Sequence, residues 1–255
     1  METTIRYILY TAIRDWIFTG IIASLVLSIF LANFLGSTVM IEKELMLTEF
    51  ISAAIRNVLI VGMIIFVCFH VRRAFENKEI DLMLSRPISR GKFILGYWMG
   101  FCIVSFLILS GSVLFTLFFA GYQYYGTSIW TVTLAFELMI VIAFAIFSSI
   151  ILRSSVSSVL LCFGFYLTSR MMGFFGYVLE KNYTSDTFSF DYFSQKIIWL
   201  TSYLLPRLDL FSQSKWLAYG VDLTSSDWLL PIIQSLIYIP LLLVFAAIDF
   251  NKKQF

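Results

Sequence analysis

Charge is scarce in this chain, histidine occurs once, and no phosphate-binding loop is present; each shortage excludes something. Charged residues make up 13% of 255 positions while 60% are hydrophobic, and soluble domains carry about twice that charged share. Mean hydropathy is +0.88. A water-soluble globule is therefore excluded, and one helical bundle in a bilayer fits the length. A formal net charge of +2 gives a nucleic acid no field to follow. The lone histidine, His70, ends an apolar run without companions at ligand spacing, and reads as an interface residue. Cys68, Cys102 and Cys162 all sit in apolar stretches with no metal pattern and read as buried structural residues. No Gly-x-x-x-x-Gly-Lys-Ser/Thr run occurs, so the phosphate cradle that ATP hydrolysis needs is missing from this chain.

What the sequence does have is long apolar runs. A window of about 19 residues finds six: Trp16–Met40, Phe50–Val71, Phe93–Ala120, Ile129–Leu152, Val156–Tyr177 and Trp228–Ile248. Each is long enough to cross a hydrocarbon core of about 30 Å as a helix. The expected fold is an all-α integral membrane protein, a single domain over residues 1–255. The first run is too long for a signal-peptide core, so it is expected to be retained.

The basic residues fix the expected sidedness. Arg6 and Arg14, then Arg72, Arg73, Lys78, Arg86, Arg90 and Lys92, then Arg153, and finally Lys252 and Lys253 fall on one side. Lys43 stands alone on the short connections of the other side. The longer 178–227 stretch carries Lys181, Lys196, Arg207 and Lys215, but long translocated segments are weakly governed by charge. Both termini are expected in the cytoplasm.

Two flanking stretches read as interfacial. Residues 2–15 set Ile5, Ile8, Leu9, Ala12 and Ile13 at helical spacing, with Arg6 and Arg14 elsewhere, the pattern of an amphipathic helix lying on headgroups. Residues 178–227 are too polar to span and rich in aromatics, with Pro206 among them. Short helices broken near Pro206 and resting at the outer interface are expected there.

Between the second and third runs lies a charged insert, residues 72–92. Over Glu76–Leu84, Ile80, Met83 and Leu84 fall at i, i+3 and i+4, with Glu76, Glu79 and Asp81 mostly elsewhere. One helical stripe could fill a partner's groove while the acids meet basic groups at its rim. Pro87 stops the helix, and Gly91 permits the turn into the third span.

The run Asp81-Leu-Met-Leu-Ser-Arg-Pro-Ile-Ser-Arg90, followed by Phe93-Ile-Leu-Gly96, resembles the permease subunits of ABC-2-type ATP-binding-cassette transporters. Their layout is also similar: six spans, both ends inside, an amphipathic first helix and an outer excursion between spans five and six. The resemblance implies that the insert is a coupling helix docking on an ATPase subunit, with Glu76, Glu79, Asp81, Leu84, Arg86, Pro87 and Arg90 in the coupling roles. It implies a transport subunit rather than an enzyme. ATP and magnesium would be bound by separate ATPase subunits, and a second permease subunit would complete a dimer among the lipids of a bacterial inner membrane. No catalytic residue and no metal or cofactor site is expected on this chain.

Three ionisable residues lie within spans: Arg56, Glu137 and Arg170. Counting from the outer ends puts all three roughly 9–12 Å deep. Buried charges of this kind are usually paired. Equal depth allows Glu137 to neutralise one arginine, either as a structural lock or as a site for an anionic headgroup. Gly96 and Gly100 in the third span suit close helix approach, while Gly173 and Gly176 suit a looser outer end of span five. No continuous polar lining runs through the spans, which disfavours a water-filled pore and favours an amphipathic or lipid-like cargo. The alternative is a non-transporting membrane subunit of such a complex, acting on the envelope through residues 178–227. An embedded enzyme is disfavoured because Asp186, Asp191, Asp209, Asp222 and Asp227 are dispersed, with no histidine among them.

Overall fold

The computed structural model describes residues 2–38, 43–80, 89–120, 124–181, 193, 196, 200, 201, 204–218 and 225–252. Eight α-helices run in order through these residues: α1 Glu2–Arg14, α2 Trp16–Thr38, α3 Lys43–Glu76, α4 Arg90–Ala120, α5 Tyr124–Ile151, α6 Ser155–Lys181, α7 Lys215–Ala218 and α8 Ser225–Lys252. A single 3-10 turn, Leu208–Leu210, precedes α7.

Six of these helices (α2, α3, α4, α5, α6 and α8) are long and apolar enough to cross a membrane. Each coincides with one of the six apolar runs. Two overshoot. Helix α3 has 34 residues and α4 has 31, or about 51 Å and 46 Å of rise, against a core of about 30 Å. Hydropathy marks only the lipid-facing length; good helix formers such as Glu, Leu, Ala and Arg carry the helix past it. Helix α3 ends where Lys78 takes a left-handed backbone, φ 55°, a conformation that interrupts a right-handed helix.

Helix α5 forms the centre. Leu134, Leu138, Ile142, Ala145 and Ile146 on it are all at most 2% exposed, and it packs against α3, α4, α6 and α8. Helices α2, α6 and α8 are peripheral, with 22% of the apolar window buried in each against 67% for α5. Their outward faces carry Phe30, Phe34, Leu160, Phe174 and Leu236, as helices facing hydrocarbon do.

The amino-terminal helix docks on the start of α4. A Cβ on Gly100 would stand 2.7 Å from Cδ1 and 3.1 Å from Cβ of Ile8, and one on Gly96 would stand 3.3 Å from Thr4. The close approach that the Gly-xxx-Gly spacing suggests is real, and its occupant is α1. Thr4, Ile8 and Ala12 are buried on that face, while Tyr10 and Ile13 point away from the bundle. The far end of α8 reaches the same end of the bundle, where Phe250 stacks on Phe93 with centroids 5.7 Å apart. Both terminal helices and the connection 77–89 therefore share one end.

Candidate functional site

At that shared end the stem of the insert is tied into the bundle. After the Lys78 turn, Ile80 folds back and is 1% exposed, seated among Val71, Phe75, Phe93, Ile94, Tyr97 and Phe250. Glu79 accepts hydrogen bonds from the Tyr7 hydroxyl and from Asn77 Nδ2 at 3.2 Å. Burial, and next the bond to Glu79, raise the Tyr7 phenol above its ordinary pKa. Arg73 donates to Asp15 Oδ2 at 3.0 Å, and Asp15 Oδ1 accepts the backbone N–H of Ile17 at 3.0 Å. One carboxylate thus caps the start of α2 and pins the end of α3. Arg72 pairs with Glu76 one turn on, at 3.0 Å.

Arg90 opens α4 and donates to the carbonyls of Phe250 and Asn251 at 3.2 and 3.0 Å. A cation at the carboxyl end of α8 is favoured by its dipole and satisfies carbonyls that the helix leaves open. His70 sits behind these contacts, 4% exposed, ringed by Tyr7, Phe66, Tyr97 and Phe101 at centroid distances of 5.4 to 6.5 Å. It is a packed core residue.

Of the residues expected to couple, Glu76, Glu79 and Arg90 are described, and all three join the stem. Asp81, Leu84, Arg86 and Pro87 lie outside the described residues, as does Met83 of the expected stripe. Ile80 departs from that stripe: it fills a pocket of its own chain instead of facing a partner.

At the opposite end a second site holds charge inside the bundle. Arg170 on α6 pairs with Glu137 on α5 at 3.3 Å, and Glu137 is wholly buried. The same Arg170 nitrogen donates to the carbonyls of Leu208 and Phe211 at 2.6 and 3.1 Å. Arg56 on α3 donates to the Ser212 carbonyl at 3.3 Å. Ser212, at φ 43°, uses every polar group it has. Its hydroxyl donates to Glu137 Oε2, its N–H to Thr133 Oγ1 at 3.3 Å, and its carbonyl takes Arg56. Ser52 and Ser214 hydroxyls meet 2.9 Å apart.

The three intramembrane charges therefore do converge, and what they hold is residues 208–214. This part of the 178–227 stretch enters the bundle, with Leu208, Phe211, Trp216 and Leu217 turned inward. Irregular backbone is tolerated at such depth only when protein supplies its hydrogen bonds, and here the guanidinium groups of Arg56 and Arg170 and the Thr133 hydroxyl oxygen do so. Gly173 is required for the fit, since a Cβ there would fall 2.3 Å from Asp209 Oδ2; it makes room for the excursion rather than loosening α6. Sequence reasoning missed Ser212, Thr133, Ser52 and Ser214, whose partners lie 75 to 162 positions away and leave no local pattern.

No group of three or more His, Cys, Asp or Glu residues is placed to hold a metal among the described residues. A family model described as ABC-2 family transporter protein matches residues 71–255, taking in the insert, Glu137 and Arg170 of the charge cluster, and five of the six membrane-crossing helices wholly or in part. The chain belongs to the ABC-2 transporter family. This ABC-2 protein is a multi-pass membrane component of permease type. The match begins inside α3, so α1 and α2 stand outside it. No curated protein matches the chain.

Proposed function

We propose that this ABC-2 protein is the permease subunit of an ATP-binding-cassette exporter, pairing with a second permease subunit and taking its energy from separate ATPase subunits. Both termini and the insert face the cytoplasm of a bacterial cell, and the cargo crossing the inner membrane is amphipathic or lipid-like. The observation that carries the reading is the anchoring of the insert's stem. Ile80, Glu79, Arg73 and Arg90 connect it at once to α1, α2, α3, α4 and α8. Under this proposal a push arriving through the insert is passed by the stem to the helices that hold it. In this reading Glu76, Asp81, Leu84, Arg86 and Pro87 meet the ATPase, while Glu79 and Arg90 transmit from behind. ATP and magnesium belong to that ATPase.

Transport is favoured over envelope signalling through the outer excursion because Leu208, Phe211 and Trp216 turn into the bundle, which makes this part of the excursion a structural element of the bundle. The charge cluster is read as a structural lock: one Arg170 nitrogen is engaged by Glu137 and by the carbonyls of Leu208 and Phe211, and a terminal nitrogen of Arg56 by the Ser212 carbonyl, with Arg56 Nε left without a hydrogen-bond partner among the described residues. The test is co-purification from membranes. The unaltered chain should retain a nucleotide-hydrolysing partner, and Glu76→Lys with Asp81→Lys should release it while membrane insertion is unchanged. Retention of the partner by the doubly reversed chain would overturn the assignment.

A further inference from the structure

Two thiols have no part in anything described so far. Cys68 on α3 and Cys162 on α6 stand 94 positions apart in sequence, yet their sulfurs are 3.9 Å apart. Both are free thiols, 0% and 2% exposed. Ser148 on α5 completes the cluster, its hydroxyl 3.0 Å from the Cys162 sulfur. We propose that Cys68 and Cys162 form an oxidisable pair, a covalent modification site for a small uncharged peroxide, at which a disulfide ties the second membrane-crossing helix to the fifth.

The reaction balances with hydrogen peroxide as the only co-reactant. One thiol sulfur attacks a peroxide oxygen, the O–O bond breaks, and a sulfenic acid and one water result. The second sulfur then displaces the hydroxyl of the sulfenic acid, which leaves as a second water carrying the remaining thiol proton. Two electrons pass from the sulfurs to the peroxide. The sulfurs must close from 3.9 Å to about 2.05 Å, a movement within reach of side-chain rotation on adjacent helices. Ser148 is placed to hydrogen-bond the Cys162 sulfur while it waits.

Location makes the pair selective. Cys68 lies four residues, about 6 Å, inside Arg72 along α3, and Cys162 seven residues, about 10 Å, inside Ser155, where α6 begins. Both sit in the apolar zone near the end of the bundle that bears the insert. A neutral peroxide enters such a zone, whereas a charged reductant such as glutathione is kept out by the cost of losing its hydration. The disulfide would therefore persist where exposed thiols are kept reduced. Cys102 on α4 has no sulfur partner in reach among the described residues and serves as the internal control.

The experiment uses the full chain in its native membranes or purified with its partners. It is treated with hydrogen peroxide, denatured, alkylated with N-ethylmaleimide and mapped by mass spectrometry without reduction. The expected result is loss of alkylation at Cys68 and Cys162 together, a linked peptide joining them, and full alkylation at Cys102. Dithiothreitol, which is uncharged, should restore both sites, and glutathione should not. The Cys162→Ser chain should keep Cys68 alkylated. The proposal is overturned if both thiols remain alkylated at peroxide levels that convert exposed Met46 and Met171 to sulfoxides. A link running to Cys102 or between copies would overturn it too, as would loss of Cys68 labelling in the Cys162→Ser chain.

Discussion

At one end of this bundle residues 73–80 are held by an aliphatic plug and by ion pairs whose cations reach water; at the other, residues 208–214 are held by ions largely shut away from it. The Arg73 side chain is 53% exposed although its partner Asp15 is 4%, and that of Glu76 is 62%, whereas Arg170 is 22% exposed and Glu137 fully buried. Exposed pairs contribute about 0–1 kcal/mol and are screened by salt. A buried charge deprived of its partner costs roughly 3–5 kcal/mol. The two ends thus differ in how much solvent reaches their cations, and so in how strongly salt and substitution should act on each.

The largest test of that contrast is Arg170→Gln. It strands Glu137 and releases the carbonyls of Leu208 and Phe211, and the expected loss is roughly 3–5 kcal/mol, read as a lowered thermal midpoint and a smaller folded yield. Transport per folded complex should be unchanged. A chain of normal stability that fails to transport would make the cluster a cargo site instead. Next comes Ile80→Ala, which empties the plug at the other end. It should cost roughly 2–3 kcal/mol and weaken the coupling of ATP hydrolysis to transport, measured as hydrolysis that no longer responds to cargo.

Gly100→Val should cost about 1–3 kcal/mol by forcing Ile8 off α4. Its signature is local: faster proteolytic cleavage within residues 2–14 while the bundle stays folded. Smallest is Arg73→Gln, expected to change stability by less than about 1 kcal/mol, an effect that should shrink further at high salt. If Arg73→Gln proved as damaging as Arg170→Gln, the contrast between the two ends would fail.

The parts of this architecture that could be read in advance are those carried by local chemistry. Six apolar runs announce six helices because each must hide its own backbone from lipid. Counting rise per residue brings Arg56, Glu137 and Arg170 to one level, and they do meet there. What could not be read is the partner that completes them. Ser212 and Ser214 belong to no periodic pattern; their position depends on side chains contributed by α3 and α5. Ile80 illustrates the opposite failure: its spacing suits a docking stripe, yet Val71, Phe75, Phe93, Ile94, Tyr97 and Phe250 of its own chain enclose it, and spacing does not report such tertiary partners. Gly173 looks permissive in the sequence and acts as a socket because Asp209 happens to need the space.

Helix α3 passes through both ends without a break. From Arg56 to Arg73 it is about 26 Å of continuous rod, clamped at one extremity and lightly tethered at the other. A tilt of about 5° pivoting on Arg56 would carry Arg73 about 2 Å sideways, enough to open the 3.0 Å contact with Asp15. The contact with Asp15 would be the first to register such a tilt, while the clamp around Arg56 stays closed.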